Sequence, residues 1–266
     1  MAVFTLASAT GAPGVTTCAL GLALAWPRDV VLVDADRCAS QSLLAGYFSG
    51  TQTGDRGLTS LAQSYRDGFD LADDLPSHFV AFPKPDEPTP WQRWFVPGFA
   101  RPGSAQLFEP VWPELAAALD ELDRQDIDVI VDAGRWCPPP ALVAATRCLV
   151  MVTRANLRSL AGLRLYLPDA RAAAAGATGC SLGLAVIGGN DSYDGDEITT
   201  EFQLPVWGVL PWQPADATAL SDGEPARRRA STRPLARAFT VTAGALRRVA
   251  ERWDARVKRE WGASNA

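Results

Sequence analysis

The sequence predicts an α/β fold in which helices flank a single doubly wound, mostly parallel sheet. Short apolar runs rich in β-branched residues alternate along the chain with longer segments of helical spacing. Continuous apolar runs, rather than alternating apolar and polar residues, are typical of strands buried on both faces of a parallel sheet. The chain has 266 residues, of which 47% are hydrophobic and 21% charged, so it can bury one such core.

We predict seven strands, each a short apolar run bounded by polar or turn-forming residues. They are Val3–Ala7, Val30–Val33, Phe79–Phe82, Val129–Val131, Leu149–Val152, Leu182–Ile187 and Val206–Leu210. Helices are predicted in the longer segments between and after them. They are Thr16–Ala25, Gly57–Arg66, Pro110–Asp123, Pro140–Thr146, Leu157–Ala175 and Pro234–Trp261.

These elements predict one domain over residues 1–261, followed by a tail at 262–266. Residues 84–103 are predicted to form an irregular insert rich in proline and tryptophan, because proline lacks the backbone donor that regular structure needs. No apolar run reaches the ~18 residues of a membrane span, and no secretion leader precedes the first strand, so we expect neither. The five cysteines lack metal-binding spacing, which favours reduced thiols in a cytoplasm. His78, the only histidine, is expected at the surface or in a loop.

Charge is distributed unevenly along the chain. Residues 224–266 contain eleven Arg or Lys and four Asp or Glu, whereas the whole chain has a net charge of −5. The helix predicted at about 234–261 is therefore basic outside its apolar stripe. Three interpretations stay open: a helix packed on the sheet with a solvated basic side, a helix on an anionic membrane surface, and nonspecific binding of DNA phosphates. The candidate DNA or lipid contacts are Arg227, Arg228, Arg229 and Arg233.

A glycine-rich turn follows the first predicted strand and opens the first helix. Residues Ser8–Thr17 read Ser-Ala-Thr-Gly-Ala-Pro-Gly-Val-Thr-Thr. A strand, such a turn and then a helix are typical of a phosphate-binding loop, or P-loop, whose main-chain N–H groups and helix terminus bind phosphate beyond the carboxyl ends of the strands. Val15 stands where such a loop usually has lysine. The predicted nucleotide-binding residues are Gly11, Ala12, Pro13, Gly14, Val15, Thr16 and Thr17.

Aspartates end two of the predicted strands. Asp34 and Asp36 follow Val30–Val33, and Asp132 follows Val129–Val131. In P-loop proteins Mg²⁺ is held by a loop hydroxyl, phosphates and waters, with a strand-end carboxylate behind them. We therefore assign Thr16, Asp132 and Asp34 to Mg²⁺, directly or through water. Asp36 is assigned to orienting an attacking water.

Together these segments resemble the ParA/MinD family of deviant-Walker ATPases. The family loop K-G-G-x-G-K-T-T is similar to Thr10–Thr17, and the strand ends at Asp34 and Asp132 resemble its D-x-D and Walker B segments. The resemblance continues through Cys148–Thr153, Ser159–Leu163, Leu204–Trp212 and Ser231–Ala238. It implies ATP or ADP with Mg²⁺ as cofactors, a nucleotide-sandwich homodimer, and a position for Pro211 near the base.

Both lysines of the family pattern are missing. Thr10 stands at the signature lysine and Val15 at the P-loop lysine. A charge-assisted hydrogen bond contributes about 1.5–3 kcal/mol, so losing one weakens binding by about one to two orders of magnitude. Hydrolysis should suffer more, because phosphoryl transfer depends on positive charge around the γ-phosphate. Arg37, Arg135 and Arg154 are three candidate replacements among which the sequence does not choose.

We therefore expect a nucleotide-binding positioning or partitioning protein with impaired or absent ATP hydrolysis. Eroded loops resemble the TadZ/CpaE-like branch, which implies a pilus, secretion or partition apparatus as partner and a cytoplasmic location, peripheral to nucleoid or membrane. Two alternatives stay open: an active ATPase that uses substitute arginines, and a DNA- or membrane-binding adaptor that binds no nucleotide. Whether the chain is an enzyme is therefore not decided by the sequence.

Overall fold

Eight strands form one sheet in the computed structural model, which describes residues 2–10, 14–51, 55–83, 88–188, 193–222 and 233–264. The side chains of residues 123 and 256–264 are not described. The strands are β1 (Val3–Ser8), β2 (Val30–Asp34), β3 (Val80–Ala81), β4 (Arg93–Val96), β5 (Asp128–Arg135), β6 (Cys148–Arg154), β7 (Ser181–Gly188) and β8 (Val206–Pro211). Their order is β3-β4-β2-β5-β1-β6-β7-β8, and every pair is parallel except β3–β4.

Helices cover both faces of this sheet. Those formed by the described residues are α1 (Val15–Ala25), α2 (Ser42–Ala45), α3 (Leu58–Arg66), α4 (Leu71–Asp74), α5 (Ser104–Leu107), α6 (Trp112–Arg124), α7 (Pro140–Ala145), α8 (Leu157–Gly176), α9 (Gly195–Phe202), α10 (Pro214–Ser221) and α11 (Pro234–Ser264). The predicted α/β class, with a doubly wound and mostly parallel sheet, is confirmed.

The core explains why these runs become strands and helices. α1 is largely apolar, and it packs against both the sheet and α11, so most of it is buried. The first half of α11 packs on the same layer through Leu235, Phe239, Ala243 and Leu246. This part of the last helix therefore has the packed role that was one of the three interpretations of the basic C-terminal region. Among the described helices, none has the length and apolar character that crossing a bilayer requires.

Each of the seven predicted strands is present, with ends that differ by at most a few residues. The prediction of an irregular insert over 84–103 is wrong at β4, where Arg93–Val96 pairs with β2 as a parallel strand. Prolines flank these four residues but do not interrupt them, and Phe95 and Val96 are fully buried. Residues 84–87 of the predicted insert lie outside the described residues.

Two further expectations need correction. The tail predicted at 262–266 is wrong for its first three residues, because α11 continues to Ser264. His78 is buried, with 5% of its surface exposed, although it was expected at the surface or in a loop. Its ring explains this burial, since Nδ1 accepts a hydrogen bond from the backbone of Gly57 at 3.1 Å and Nε2 lies 3.0 Å from the Asp74 carboxylate.

Candidate nucleotide site

The strand order brings the predicted site residues together at the carboxyl ends of the parallel strands, which form one edge of the sheet. β5 lies between β1, which leads into the glycine-rich turn, and β2, which leads into the two aspartates. Asp34 and Asp132 are register partners on neighbouring parallel strands. The carboxylates and the start of the turn therefore lie side by side.

Gly14 forms the last residue of the turn and the N-cap of α1. Its φ of 101° is left-handed, a conformation that glycine adopts without strain. A Cβ at this position would lie 3.5 Å from the Ile187 side chain. No side chain of the described residues caps α1, so its first N–H groups are available to an anion at the helix terminus. Gly11, Ala12 and Pro13 of the prediction lie outside the described residues.

The next three residues have different surroundings. The Val15 side chain is 5% exposed and belongs to the main apolar core, so it contributes only backbone to the candidate site. Thr16 and Thr17 are half-buried in the first turn of α1. The Thr16 hydroxyl lies at the Asp132 carboxylate and lowers its pKa, which places this predicted Mg²⁺ ligand beside its predicted partner.

Asp132 is fully buried. Its Oδ1 accepts a hydrogen bond from the backbone N–H of Gly134 at 2.9 Å, whereas Oδ2 has no hydrogen-bond partner among the described residues. Burial outweighs the lowering effect of Thr16 and raises the pKa of Asp132 to about 6. A buried carboxylate oxygen without a partner among the described residues can accept a hydrogen bond or bind a cation.

The neighbouring Asp34 is more strongly perturbed. Burial and the charge of Asp132 raise the pKa of Asp34 to about 8, although the backbone N–H of Asp36 donates to its Oδ1 at 3.3 Å. Gly98, which the sequence reasoning missed, covers this carboxyl so closely that a Cβ there would lie 2.7 Å from its Cγ. Two adjacent carboxyls with raised pKa values are therefore held in one small space.

Asp36 lies further from the core and is half-buried. Burial raises its pKa, and two smaller effects lower it: the backbone N–H of Cys38, which donates to Oδ1 at 2.8 Å, and the charge of Arg135. Gly134 has a left-handed φ of 64°, and a side chain there would overlap the Asp36 carboxyl. The glycine that follows the β5 aspartate thus makes room for the carboxylate predicted to orient water.

The donor set fits Mg²⁺ together with a polyphosphate better than a cation held by protein alone. Within the described ranges, no group of three or more His, Cys, Asp or Glu side chains could hold a metal ion. Mg²⁺ commonly uses one or two carboxylates and takes its other ligands from phosphate and water. Thr16, the unpartnered Oδ2 of Asp132 and the uncapped end of α1 provide this combination.

The residue predicted to lie near the nucleotide base is on a different strand from the aspartates. Pro211 ends β8 opposite Gly188 at the same edge of the sheet. Trp212 follows it, 47% exposed, with the Arg154 guanidinium 4.3 Å from its ring centre, a pair that the sequence reasoning missed. The sequence signal that could have indicated this pair is an aromatic residue placed directly after the proline that ends a strand.

The candidate DNA or lipid contacts are described only in part. Arg227, Arg228 and Arg229 lie outside the described residues. Arg233 forms an ion pair with Asp216 at 3.2 Å, and its side chain is 14% exposed. Arg233 is thus engaged within the fold rather than presented to a surface.

Comparison with known proteins identifies the fold. No protein family and no curated protein matches the sequence. A ParA family ATPase from Chlorobium tepidum superposes with a TM-score of 0.69 at 18% identity, over 91% of this chain and 98% of that chain. The septum site-determining protein MinD from Pyrococcus horikoshii, complexed with Mg-ADP, gives 0.64 at 17%, over 91% and 94%. An ATP complex of a McdA variant from Cyanothece gives 0.63 at 18%, over 92% and 95%. The chain therefore has the fold of ParA- and MinD-type ATPases.

Proposed function

We propose that the chain is a ParA/MinD-type nucleotide-binding positioning or partitioning protein that binds ATP or ADP with Mg²⁺ and hydrolyses ATP slowly or not at all. The observation that carries the proposal is the buried Oδ2 of Asp132, which has no hydrogen-bond partner in the described part of the chain and lies beside Thr16 at the start of α1. Solved proteins of this fold with Mg-ADP and ATP support the same ligand class.

Each residue has a defined task in this proposal. The first turn of α1 binds phosphate through main-chain N–H groups, and Thr16 with Asp132 holds Mg²⁺, which neutralises phosphate charge when bound. Asp34, the register partner of Asp132 on the neighbouring strand, provides a second carboxyl. Asp36, the most solvent-accessible of the three acids, orients water near the terminal phosphate.

Slow hydrolysis follows from the two positions that lack lysine. The Val15 side chain is committed to the core, and the methyl group of Thr10 fills the space beside Gly162 of α8 in the same chain. Neither side chain can donate a charged hydrogen bond to phosphate. Since positive charge near the γ-phosphate contributes several orders of magnitude to phosphoryl transfer, turnover suffers more than binding.

The proposal includes a homodimer formed through the site edge. Exposed apolar side chains lie along this edge at Trp136, Leu157, Tyr193 and Trp212, with exposed fractions of 38–71%. Such a group indicates a protein contact. We place the protein in the cytoplasm, peripheral to nucleoid or membrane, with a pilus, secretion or partition component as partner, as in the TadZ/CpaE-like branch that its eroded loop resembles.

Titration with a fluorescent N-methylanthraniloyl-ATP tests the proposal. We expect saturable, Mg²⁺-dependent binding to the wild-type chain and loss of binding in Gly14→Val, whose side chain would be strained at a φ of 101°. Phosphate release is measured in parallel with Asp36→Ala. Binding without turnover supports the proposal, whereas robust Asp36-dependent turnover indicates an active ATPase. Absence of binding indicates an adaptor that uses no nucleotide.

A further inference from the structure

Arg135 is the last residue of β5, the strand between the turn and the paired aspartates. Its register partner on β1 is Ser8, at the start of the glycine-rich turn. The residue before Arg135 is Gly134, where a Cβ would overlap Cγ of the Asp36 carboxyl. Because neighbouring strands lie about 4.8 Å apart, Arg135 leaves the sheet between the two halves of the candidate site.

The backbone around Arg135 is built in an unusual way. Between the pairs Leu6↔Asp132 and Ser8↔Arg135, β5 has one residue more than β1, which is a β-bulge of the kind that re-aims side chains next to functional sites. The residue after Arg135 is Trp136, whose φ of 80° is exceptional for a bulky side chain.

Two contacts hold this strained turn in place. The backbone N–H of Trp136 donates to the carbonyl of Ser8 at 2.7 Å, and its ring packs edge-on against Tyr166 with centroids 4.1 Å apart. Strained backbone persists where the surrounding structure over-determines it, and such positions cluster at functional sites. The turn therefore fixes the point from which the Arg135 side chain extends.

The three candidate arginines differ in what already occupies them. Arg37 is paired with Glu109 at 2.5 Å, and Arg154 stacks over the Trp212 ring. Arg135 is exposed and forms no ion pair within 4 Å among the described residues, yet its charge is felt by Asp36. It is thus a cation beside the site that has not been committed to another residue of the described fold.

We infer that Arg135 supplies the phosphate-binding positive charge that the loop has lost at Val15. The inference rests on the proposed nucleotide function. It adds the residue whose positive charge offsets three carboxylates, so that a polyphosphate can bind there favourably. A guanidinium stays charged at all relevant pH values and can bind phosphate through two parallel hydrogen bonds. The ligand class it favours is therefore a nucleoside di- or triphosphate over a monophosphate.

Calorimetric titration of wild type, Arg135→Gln and Arg135→Lys with Mg–ATP, Mg–ADP and AMP tests this inference. We expect Arg135→Gln to weaken ATP binding by about 10- to 100-fold, the equivalent of one charge-assisted hydrogen bond, and AMP binding by less than threefold. Arg135→Lys should recover part of the loss, because it keeps the charge without the two-point contact. Arg124→Gln is the matched control, since this exposed arginine lies at the opposite end of β5.

Each outcome has a separate meaning. ATP affinity of Arg135→Gln within twofold of wild type overturns the inference and leaves the proposed function intact. Equal losses for ATP and AMP, with a lowered melting temperature, also overturn it, because they show a structural role. If Arg37→Gln loses ATP affinity and Arg135→Gln does not, the phosphate-binding charge belongs to Arg37, and the inference is overturned. A wild-type chain that binds no nucleotide overturns the proposed function, and this inference with it.

Discussion

Restoring the P-loop lysine through Val15→Lys tests the central reasoning from two directions. The Val15 side chain is 5% exposed, so its removal from the core costs about 1.5–3 kcal/mol, and a cation at a helix N-terminus costs about 0.3–1 kcal/mol more. For a domain of this size, each kcal/mol lowers the melting temperature by about 2–4 °C. We expect the variant without nucleotide to melt roughly 4–16 °C below wild type.

The same variant should bind nucleotide more tightly. One charge-assisted hydrogen bond to phosphate contributes about 1.5–3 kcal/mol, which increases Mg–ATP affinity by about 10- to 100-fold. Scanning fluorimetry and calorimetric titration measure the two effects on one preparation. Val15→Met is the control, because it disturbs the same core position without adding charge. A folded Val15→Lys whose ATP affinity does not exceed that of Val15→Met would refute the assignment of this turn to phosphate.

Four further predictions follow from the same contacts. Mg–ATP affinity should rise between about pH 5 and pH 7, because Asp132 must lose its proton to bind the cation and burial raises its pKa to about 6; a flat profile in titrations across this range contradicts the assignment. Asp34→Asn should stabilise the free protein by on the order of 1–3 kcal/mol at pH 8.5 and by much less at pH 4.5, since a pKa raised to about 8 means that wild-type stability is lost as pH rises. Urea unfolding at both pH values measures the difference, and equal effects would exclude this cause. Asp128→Ala should lower the free energy of unfolding, measured in urea, by about 3–5 kcal/mol. This buried carboxylate accepts hydrogen bonds from the Ala2 backbone and the Trp26 indole, and the Arg247 guanidinium lies 3.6 Å away. Asp126→Ala, at an exposed ion pair, is the control and should lower it by less than about 1 kcal/mol. In the Val15→Lys background, Arg135→Gln should weaken ATP binding by clearly less than it does in the wild-type background, because the introduced lysine can replace the lost guanidinium; purely additive effects, with the double variant near the wild-type affinity, would show that the two cations do not serve the same phosphates.

The fold could be predicted because its signals are local. Runs such as Val30–Val33 and Val129–Val131 contain their own evidence for buried strands, and the aspartates that end them follow directly in the sequence. β4 could not be found in this way, since four residues among prolines become a strand only through pairing with β2. The burial of His78 likewise depends on Gly57, which is distant in sequence, although Asp74 one helical turn earlier was a usable signal.

The choice among three arginines illustrates what the sequence lacked. Arg37 and Arg154 also follow strands, so position alone did not separate them from Arg135. The structure distinguishes the three arginines because Glu109 pairs with Arg37 and the Trp212 ring contacts Arg154. It also places β5, which ends at Arg135, between β1 and β2. These are tertiary properties, and the positive φ of Trp136 has no local sequence signature because tryptophan rarely adopts it.

The position of Arg135 in the fold gives a reason for nucleotide binding to persist while ATP hydrolysis is slow. A lysine at Val15 would extend from the first turn of α1, where the uncapped N–H groups are proposed to bind phosphate. Arg135 instead extends from β5 beside Asp36, and its charge partly offsets the rise that burial causes in the pKa of that carboxyl. A cation shared between a carboxylate and a ground-state phosphate contributes to affinity, but only the part of the interaction that strengthens in the transition state accelerates the reaction. The geometry proposed for Arg135 therefore favours a protein that holds nucleotide rather than one that consumes it rapidly.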